Sequence, residues 1–470
     1  MNSPARPPAD PQGLRHGPIL RTLVKLAVPN VLAMVLTVLV GVAETYYVGR
    51  LGTTPLAAMA LVFPLAMLTQ MMSAGAMGGG VSSAVSRALG SGQVDRAADL
   101  ARHAVAIGVV AGMVYSAAFL LFGPAFYRGL GGRAAVLAQA SAYSSVLFSG
   151  ALMVWLANTL ASVLRGTGNM RVPSITIVLA AVLQMVLGGV LSLGAGPVPS
   201  LGMVGVAVGH IVATTAMVGV LGWFLASGRA RVRLRWTGPA GWRLDRALLA
   251  DILRVGALSC LSPVMSVLTV LIFTGLVAHV GVQALAGYAI GQRLEFLLVP
   301  VAFGIGVASV PMVGMAIGAR DVTRARRVAW TAGALSALNL ALIGATVALW
   351  PDLWARLFTT DEAVLVHARQ YLRTVGPAFP LFGLGLTLYF ASQGAGRVLG
   401  PVLAALLRLL LVAVAGAWLA GRDAQPADYF ALVAAAMAAY GLATAAAVWR
   451  SSWAAAAPVT PPASKSPRPQ

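Results

Sequence analysis

The chain is built from uninterrupted apolar blocks of roughly 20 residues or more, and that feature leaves it one broad class of fold. A helix needs about 20 apolar residues to cross about 30 Å of hydrocarbon. Inside that layer every backbone amide must be satisfied without water, which only helices and closed barrels achieve. The strict alternation of apolar and polar residues that a membrane barrel needs is absent from these blocks. Charge usage agrees, since 10% of the residues are charged and 59% are hydrophobic, against about 25% charged in a soluble domain. The sequence therefore predicts an all-α polytopic membrane protein.

Glycine, proline and charged residues punctuate the blocks into twelve candidate spans, at about 19–48, 55–82, 95–122, 136–164, 171–194, 202–227, 247–278, 284–311, 325–350, 364–393, 398–420 and 427–450. Residues 1–18 and 451–470 are polar, proline-rich or low in complexity, and are expected to be disordered tails. The first apolar run is too long for a signal-peptide core and no small-residue cleavage site closes it, so it is expected to be a retained first helix.

The formal net charge is +20, which raises the question of a nucleic-acid partner. Its placement argues against one. If the N-terminal tail, the even-to-odd loops and the C-terminal tail share one side, that side holds roughly 24 of the 33 Lys and Arg residues. The other side holds Arg50, Arg128, Arg133, Arg356, Arg369, Arg373 and Arg422, while Arg293 and Arg408 lie within spans. This is the positive-inside pattern, so both termini are expected to be cytoplasmic, with the chain in the inner membrane. The most basic loop, 228–246, falls near the middle of the chain and divides two expected six-helix bundles, 19–227 and 247–450.

The two halves repeat. LGTTPLAAMA (51–60) matches VGVQALAGYA (280–289), LGSGQVDRAADLA (89–101) matches IGARDVTRARRVA (317–329), and RGTGNMRVP (165–173) matches QGAGRVLGP (393–401), at offsets of 228–229 residues. Six spans per half keep the halves in the same orientation. They are therefore expected to be pseudo-symmetric about an axis along the membrane normal, with a cavity between them.

Ionisable residues inside spans are the functional candidates, because burying a charge in hydrocarbon costs several kcal/mol unless it is paired or hydrated. Glu44, late in the first span, is the strongest: a carboxylate held out of water can bind and release a proton near neutral pH. Glu295 in the eighth span is a second ion-coupling candidate. Arg293 beside it, at i, i+2, faces another side of the helix and is a cavity candidate. His210 in the sixth span could carry a proton. Each has a plain structural alternative: an interfacial acid, an interhelical ion pair, a satisfied buried histidine. The uncharged candidates are Asn30, Thr37, Gln70, Asn158 and Gln184, which could equally be interhelical hydrogen bonders. Met71, with Met67 and Met72, offers an adaptable apolar wall. Pro29 is expected to bend the first helix. Glu44 is expected to lie within reach of Gln184 and His210.

Other chemistries find no support. There is no G-x-x-x-x-G-K-[ST] loop, no His/Cys/carboxylate set with metal-ligand spacing and no Ser/His/Asp set in the loops, and the lone Cys260 cannot form an intrachain disulfide. The chain is thus expected to be a non-enzyme without a cofactor, driven by a proton or sodium gradient.

VGVAETYYVGRLGTTPLAAMAL (40–61) resembles the first conserved segment of multidrug and toxic compound extrusion (MATE) transporters, in which an acidic residue is followed by T-x-x-V-G-R-L-G. LRGTGNMRVP (164–173), ALAGYAIGQRLE (284–295) and FASQGAGRVLGP (390–401) resemble further segments, and GQRLEF with LYFASQGAG is similar to the bacterial DinF-like branch. The likeness spans about residues 20–450. It implies cation-coupled export of small organic, often cationic, drug-like compounds by a lipid-embedded monomer, with Glu44 at the family's acidic position. The fifth-span motif V-L-N-x-x-L-D reads VLQMVLG (182–188) here, so Gln184 replaces the asparagine and Gly188 the aspartate. His210 stands where a small polar residue is common, and the acid some members carry in the seventh span is missing. A sodium site needs several oxygen ligands, so these departures favour protons. A lipid-linked precursor flippase of the same superfamily is the alternative, and a membrane enzyme or receptor a remote one.

Overall fold

The computed structural model describes residues 13–234, 244–422 and 424–453. The first half contains α1 (Ile19–Leu51), α2 (Thr53–Gln70), a π-helical turn (Met71–Met77), α3 (Gly78–Gly90), α4 (Val94–Gly129), α5 (Ala134–Ser149), α6 (Ala151–Gly166), α7 (Arg171–Leu193) and α8 (Met203–Ala226). The second contains α9 (Arg246–Ser259), α10 (Leu261–Val280), α11 (Val282–Gly318), α12 (Val322–Leu349), α13 (Asp352–Ala355), α14 (Glu362–Val375), α15 (Phe379–Gly394), α16 (Leu399–Ala420) and α17 (Pro426–Arg450). Among the described residues eleven helical stretches are long and apolar enough to cross a membrane, and the pair α5 and α6, bent by 43°, makes twelve if it is one span. The chain is an all-helical multi-pass membrane protein.

Its outer surface carries the apolar residues that a water-soluble fold would bury. Leu32 is 63% exposed, Leu121 73% and Val414 71%. Lipid is as apolar as leucine, so these faces gain nothing by meeting one another, and helix association depends on close packing through small residues. The reciprocal glycine contacts between the halves show this. Cβ atoms added at Gly90 and Gly318 would stand 2.3 Å from the Met315 carbonyl and 2.1 Å from the Arg87 carbonyl.

Those contacts also reveal the symmetry. Adding 228 to 90 and 87 gives 318 and 315, so the pair Gly90/Met315 is the image of the pair Arg87/Gly318. Gly314 packs against Ser86, its own equivalent, and so lies beside the twofold axis. Gly166 sits on Ser82 and Val85, and Gly394 on Val310 and Val313, the same environment 228 residues on. The turns repeat as well. Gly52 (φ 125°) and Gly281 (φ 148°) close the first span of each half, and Arg320 (φ 64°) occupies the left-handed position that Gly92 (φ 81°) holds in the first half.

The halves meet at their Lys/Arg-rich ends. Arg87 Nη2 and Arg96 Nη2 in the first half both hold Asp251 of α9, at 2.6 and 3.2 Å. His103 Nε2 accepts the backbone N–H of Asp245 at 2.8 Å, and α1 lies along α11.

Structure extends into segments the sequence assigns to tails and linker. Residues 13–18 form a turn in which Leu14 is fully buried, and Arg324 Nη2 of α12 donates to the Gly17 carbonyl at 2.7 Å. This corrects the expectation of disorder there, because an apolar side chain and an arginine partner offset the cost of ordering. In the central loop Val232 and Leu234 are buried, and Leu234 N–H bonds the Leu225 carbonyl. Trp453 is buried, and Arg326 Nη2 donates to the Ser451 carbonyl at 2.5 Å. The rest of those expected segments, 1–12, 235–243 and 454–470, lies outside the described residues.

Candidate functional site

Two acids occupy the interior in different settings. Glu44 is 9% exposed. It lies on α1 where that helix packs along α7, and its Oε1 accepts from Gln184 Nε2 at 2.6 Å. The buried Tyr143 of α5 is within electrostatic reach. None of the described ion pairs includes Glu44. The carboxylate therefore has one amide donor and no cation. His210 belongs to the same bundle on α8, but no described hydrogen bond or ion pair joins it to Glu44; its carbonyl accepts from Thr214 Oγ1 at 2.7 Å. At Gly188, where the family pattern places an aspartate, an added Cβ would meet only the Val206 Cα, at 4.0 Å. A Cβ on Gly209, the neighbour of His210, would sit 2.7 Å from the Gly188 nitrogen, so it is the missing side chain of Gly209 that lets α7 and α8 approach backbone to backbone.

The π-helical turn makes a second polar spot. Such turns leave one backbone group out of the regular ladder and widen the helix locally. Asn158 of α6 reaches it, donating to Ser73 Oγ at 2.9 Å and Gln70 Oε1 at 3.3 Å. Gln393 Nε2 donates to the Gly75 carbonyl from the other half at 3.1 Å.

A cavity of about 310 Å³ opens between the halves. Phe63, Met67, Met71 and Gly75 line it from the first half, and Pro263, Phe296, Phe303, Phe382, Tyr389 and Phe390 add apolar wall from the second. Polar groups converge on it: Glu295 and Gln292 of α11, Arg408 of α16 and Tyr440 of α17. Tyr371 of α14 donates its hydroxyl to Glu295 Oε1. The guanidinium of Arg408 lies 5.5 Å from the Phe382 ring centroid and 6.0 Å from that of Tyr440.

The sequence candidates thus scatter. Met71 and Glu295 line the cavity. Asn30 is instead an interhelical tie, donating to the Gly304 carbonyl at 3.3 Å. Thr37 bonds the Ala33 carbonyl of its own helix at 3.0 Å, and Gln70 and Asn158 bond each other. Arg293 is corrected: it is exposed and lies 5.1 Å from the Phe358 ring centroid, away from the cavity. Two residues along a helix is a turn of about 200°, which sends Arg293 and Glu295 to opposite faces. Pro29 does not interrupt α1; the break in the equivalent span of the second half falls at Cys260. Arg408 carries the fixed positive charge at the cavity. Its only sequence signal was an arginine inside a leucine-rich span. Tyr371 and Tyr440 gave none, because span tyrosines are common packing residues.

Two pseudo-symmetric six-span bundles around an apolar cavity with isolated acids have the architecture of a membrane carrier for small molecules. The MatE family model matches residues 29–190 and again 259–419, once per half. The chain belongs to this family, the multidrug and toxic compound extrusion transporters. It is similar to the FAD transporter of Shewanella oneidensis, at 25% identity over 86% of this chain and 88% of that one. It is also similar to the probable multidrug resistance protein NorM of Thermotoga maritima, at 26% identity over 82% of each. Among solved structures it shares the fold of an outward-facing multidrug resistance MATE family transporter of the MOP superfamily, with TM-score 0.84, 22% identity and coverage of 94% of this chain and 98% of that one. A MOP superfamily transporter from Pyrococcus furiosus gives a TM-score of 0.85 at 22% identity, covering 94% and 98%.

Proposed function

We propose that this protein exports small organic molecules across the inner membrane in exchange for protons, with Glu44 as the proton carrier. The observation that carries this reading is the setting of Glu44: buried, held by the single amide of Gln184, and without a cation. A charge in a membrane span costs up to about 3 kcal/mol, the value for a helix centre. The acid is therefore at ease either protonated and dry or ionised and wet, and alternating between those states is what proton coupling requires. The replacement of the family's asparagine and aspartate by Gln184 and Gly188 removes oxygen ligands a sodium site would use, which supports protons over sodium.

The closed Lys/Arg-rich end supports an arrangement with both termini in the cytoplasm and the cavity facing outward. Protonation of Glu44 would remove the reason for water to reach α1. The bundle around α1 and α7 would then repack and displace substrate from the cavity between the halves. Placing the chain in a DinF-like branch rests on its second-half motifs alone.

The test uses everted membrane vesicles energised to a proton gradient. Glu44→Gln mimics the protonated acid and removes a buried charge, so it should fold and express normally. Gradient-driven export should fall at least ten-fold, and replacing sodium by choline should leave wild-type export unchanged. Normal export by well-expressed Glu44→Gln protein would remove Glu44 from the mechanism, and loss of wild-type export in choline would move the coupling to sodium.

A further inference from the structure

Arg408 is a half-buried cation that makes none of the described hydrogen bonds or ion pairs. Its Nε is sealed from solvent and bonds nothing. None of the described hydrogen bonds or ion pairs takes its amino groups, although Arg408 lines the cavity. Glu295 is near enough to feel its charge but makes no ion pair with it. The carboxylate is already engaged, since Tyr371 donates to it. Of the two charged groups at the cavity, the negative one is therefore hydrogen-bonded and the positive one is not, among the described contacts.

The surroundings suit a particular ligand. The guanidinium carbon lies 5.5 Å from the Phe382 ring centroid and 6.0 Å from that of Tyr440, and the two terminal amino groups of its fork make none of the described hydrogen bonds. Such a fork matches the paired oxygens of a carboxylate, sulfonate or phosphate. The remaining wall is apolar and aromatic, adapted to a flat hydrocarbon body. The charge is also not a product of the repeat: counting back 228 residues from Arg408 leads to Ala180. Arg408 therefore has no basic counterpart at the equivalent position of the first half.

From this geometry we infer that the cavity selects aromatic organic anions, with Arg408 holding the acidic group and Phe382 and Tyr440 flanking it. The inference rests on the reading of this cavity as the export site and narrows its substrate class. It runs against the expectation of cationic substrates, because a cation entering here would meet an unpaired guanidinium and an occupied carboxylate.

Binding separates this inference from the transport mechanism, because it needs no gradient. The full-length protein in phosphatidylcholine nanodiscs, which supply no anionic lipid, is titrated calorimetrically with naphthalene-2-sulfonate and with 2-naphthyltrimethylammonium, two probes alike except in charge. Wild type should bind the sulfonate at least ten-fold more tightly than the ammonium. Arg408→Gln should weaken sulfonate binding about ten-fold and narrow or reverse the preference, and Arg408→Lys should retain part of it, with thermal unfolding confirming that both variants are folded. Equal affinity for the two probes, preference for the ammonium, or undiminished sulfonate binding by folded Arg408→Gln would each overturn the inference. If the sulfonate binds through Arg408 but no gradient-driven export is found in vesicles, the export reading fails while the anion site stands. If drugs are exported normally and the sulfonate does not bind, the anion site fails alone.

Discussion

Glu44 and Glu295 differ in the partner each has found. Glu44 receives an amide N–H from Gln184, and Glu295 a tyrosine hydroxyl from Tyr371 at the edge of a cavity that also holds Arg408. A neutral donor steadies a carboxylate without cancelling its charge, which leaves both acids available for protonation. Outside the spans the logic is the usual one of ion pairs. Asp352 on α13 bonds Arg369 Nε at 2.6 Å and Arg356 Nε at 3.2 Å, and Arg369 also bonds Glu362. The Arg369 hydrogen bond holds the Asp352 carboxyl below its ordinary value of 3.8. A carboxyl whose value is depressed by folding contributes stability above its unfolded value, and that contribution is lost as pH falls through the folded one. Hydrogen-exchange protection of residues 352–358 should therefore be constant between about pH 5 and 7 and fall below about pH 4. Arg369→Ala should lower protection near neutral pH and flatten the acid response. Identical protection in wild type and Arg369→Ala would show that the pair does not order this loop.

At the level of helices, the decisive contacts are backbone on backbone. Gly318 lies against the Arg87 carbonyl so closely that a Cβ would intrude to 2.1 Å. Neither partner is a flexible side-chain end, so the helices must move apart. Gly318→Ala should loosen the seam between α3 and α11, at about 1–3 kcal/mol for an overpacked contact. It should shift the molecule toward a state open at the Lys/Arg-rich end. The check is the reaction rate of a cysteine placed at Ser86, buried against Gly314 in this state: labelling should rise several-fold in Gly318→Ala. An unchanged rate would mean that this seam is not part of the closed gate. The π-helical turn belongs to this scale too. A span with an extra residue in its turn can rewind cheaply, and here the turn sits at Asn158 and beside the cavity wall at Met71 and Gly75.

For the whole molecule, the charge asymmetry and the closed seam coincide: Arg87, Arg96, Asp251, Arg324 and Arg326 all gather at one end. With that end cytoplasmic, reporters fused after Ala454 should signal a cytoplasmic location, and a periplasmic signal would invert the assignment and make the conformation inward-facing. The Asp251 latch joins the halves through one carboxylate shared by two arginines. Asp251→Asn should populate the open state more readily, again read by labelling at position 86. Its effect should be smaller than that of Gly318→Ala, because partly exposed ion pairs contribute about 1 kcal/mol or less.

The twelve spans, the two halves and their register were legible in the sequence: span length follows from bilayer thickness, and the twofold relation from a repeat at constant offset. The burial of Glu44 was legible from its place inside a span, where acids are costly. What the sequence could not supply was which side chains share a space. Glu44 and Gln184 are 140 positions apart in the chain, and Arg408 reaches the cavity of Glu295 only because α16 packs beside α10 and α17. Arg293, adjacent in sequence to the candidate acid, faces away from it by helix geometry alone. Patterning against lipid decides where helices run. The contacts between helices, which depend on packing of small residues and not on any hydrophobic pattern, decide where the chemistry sits.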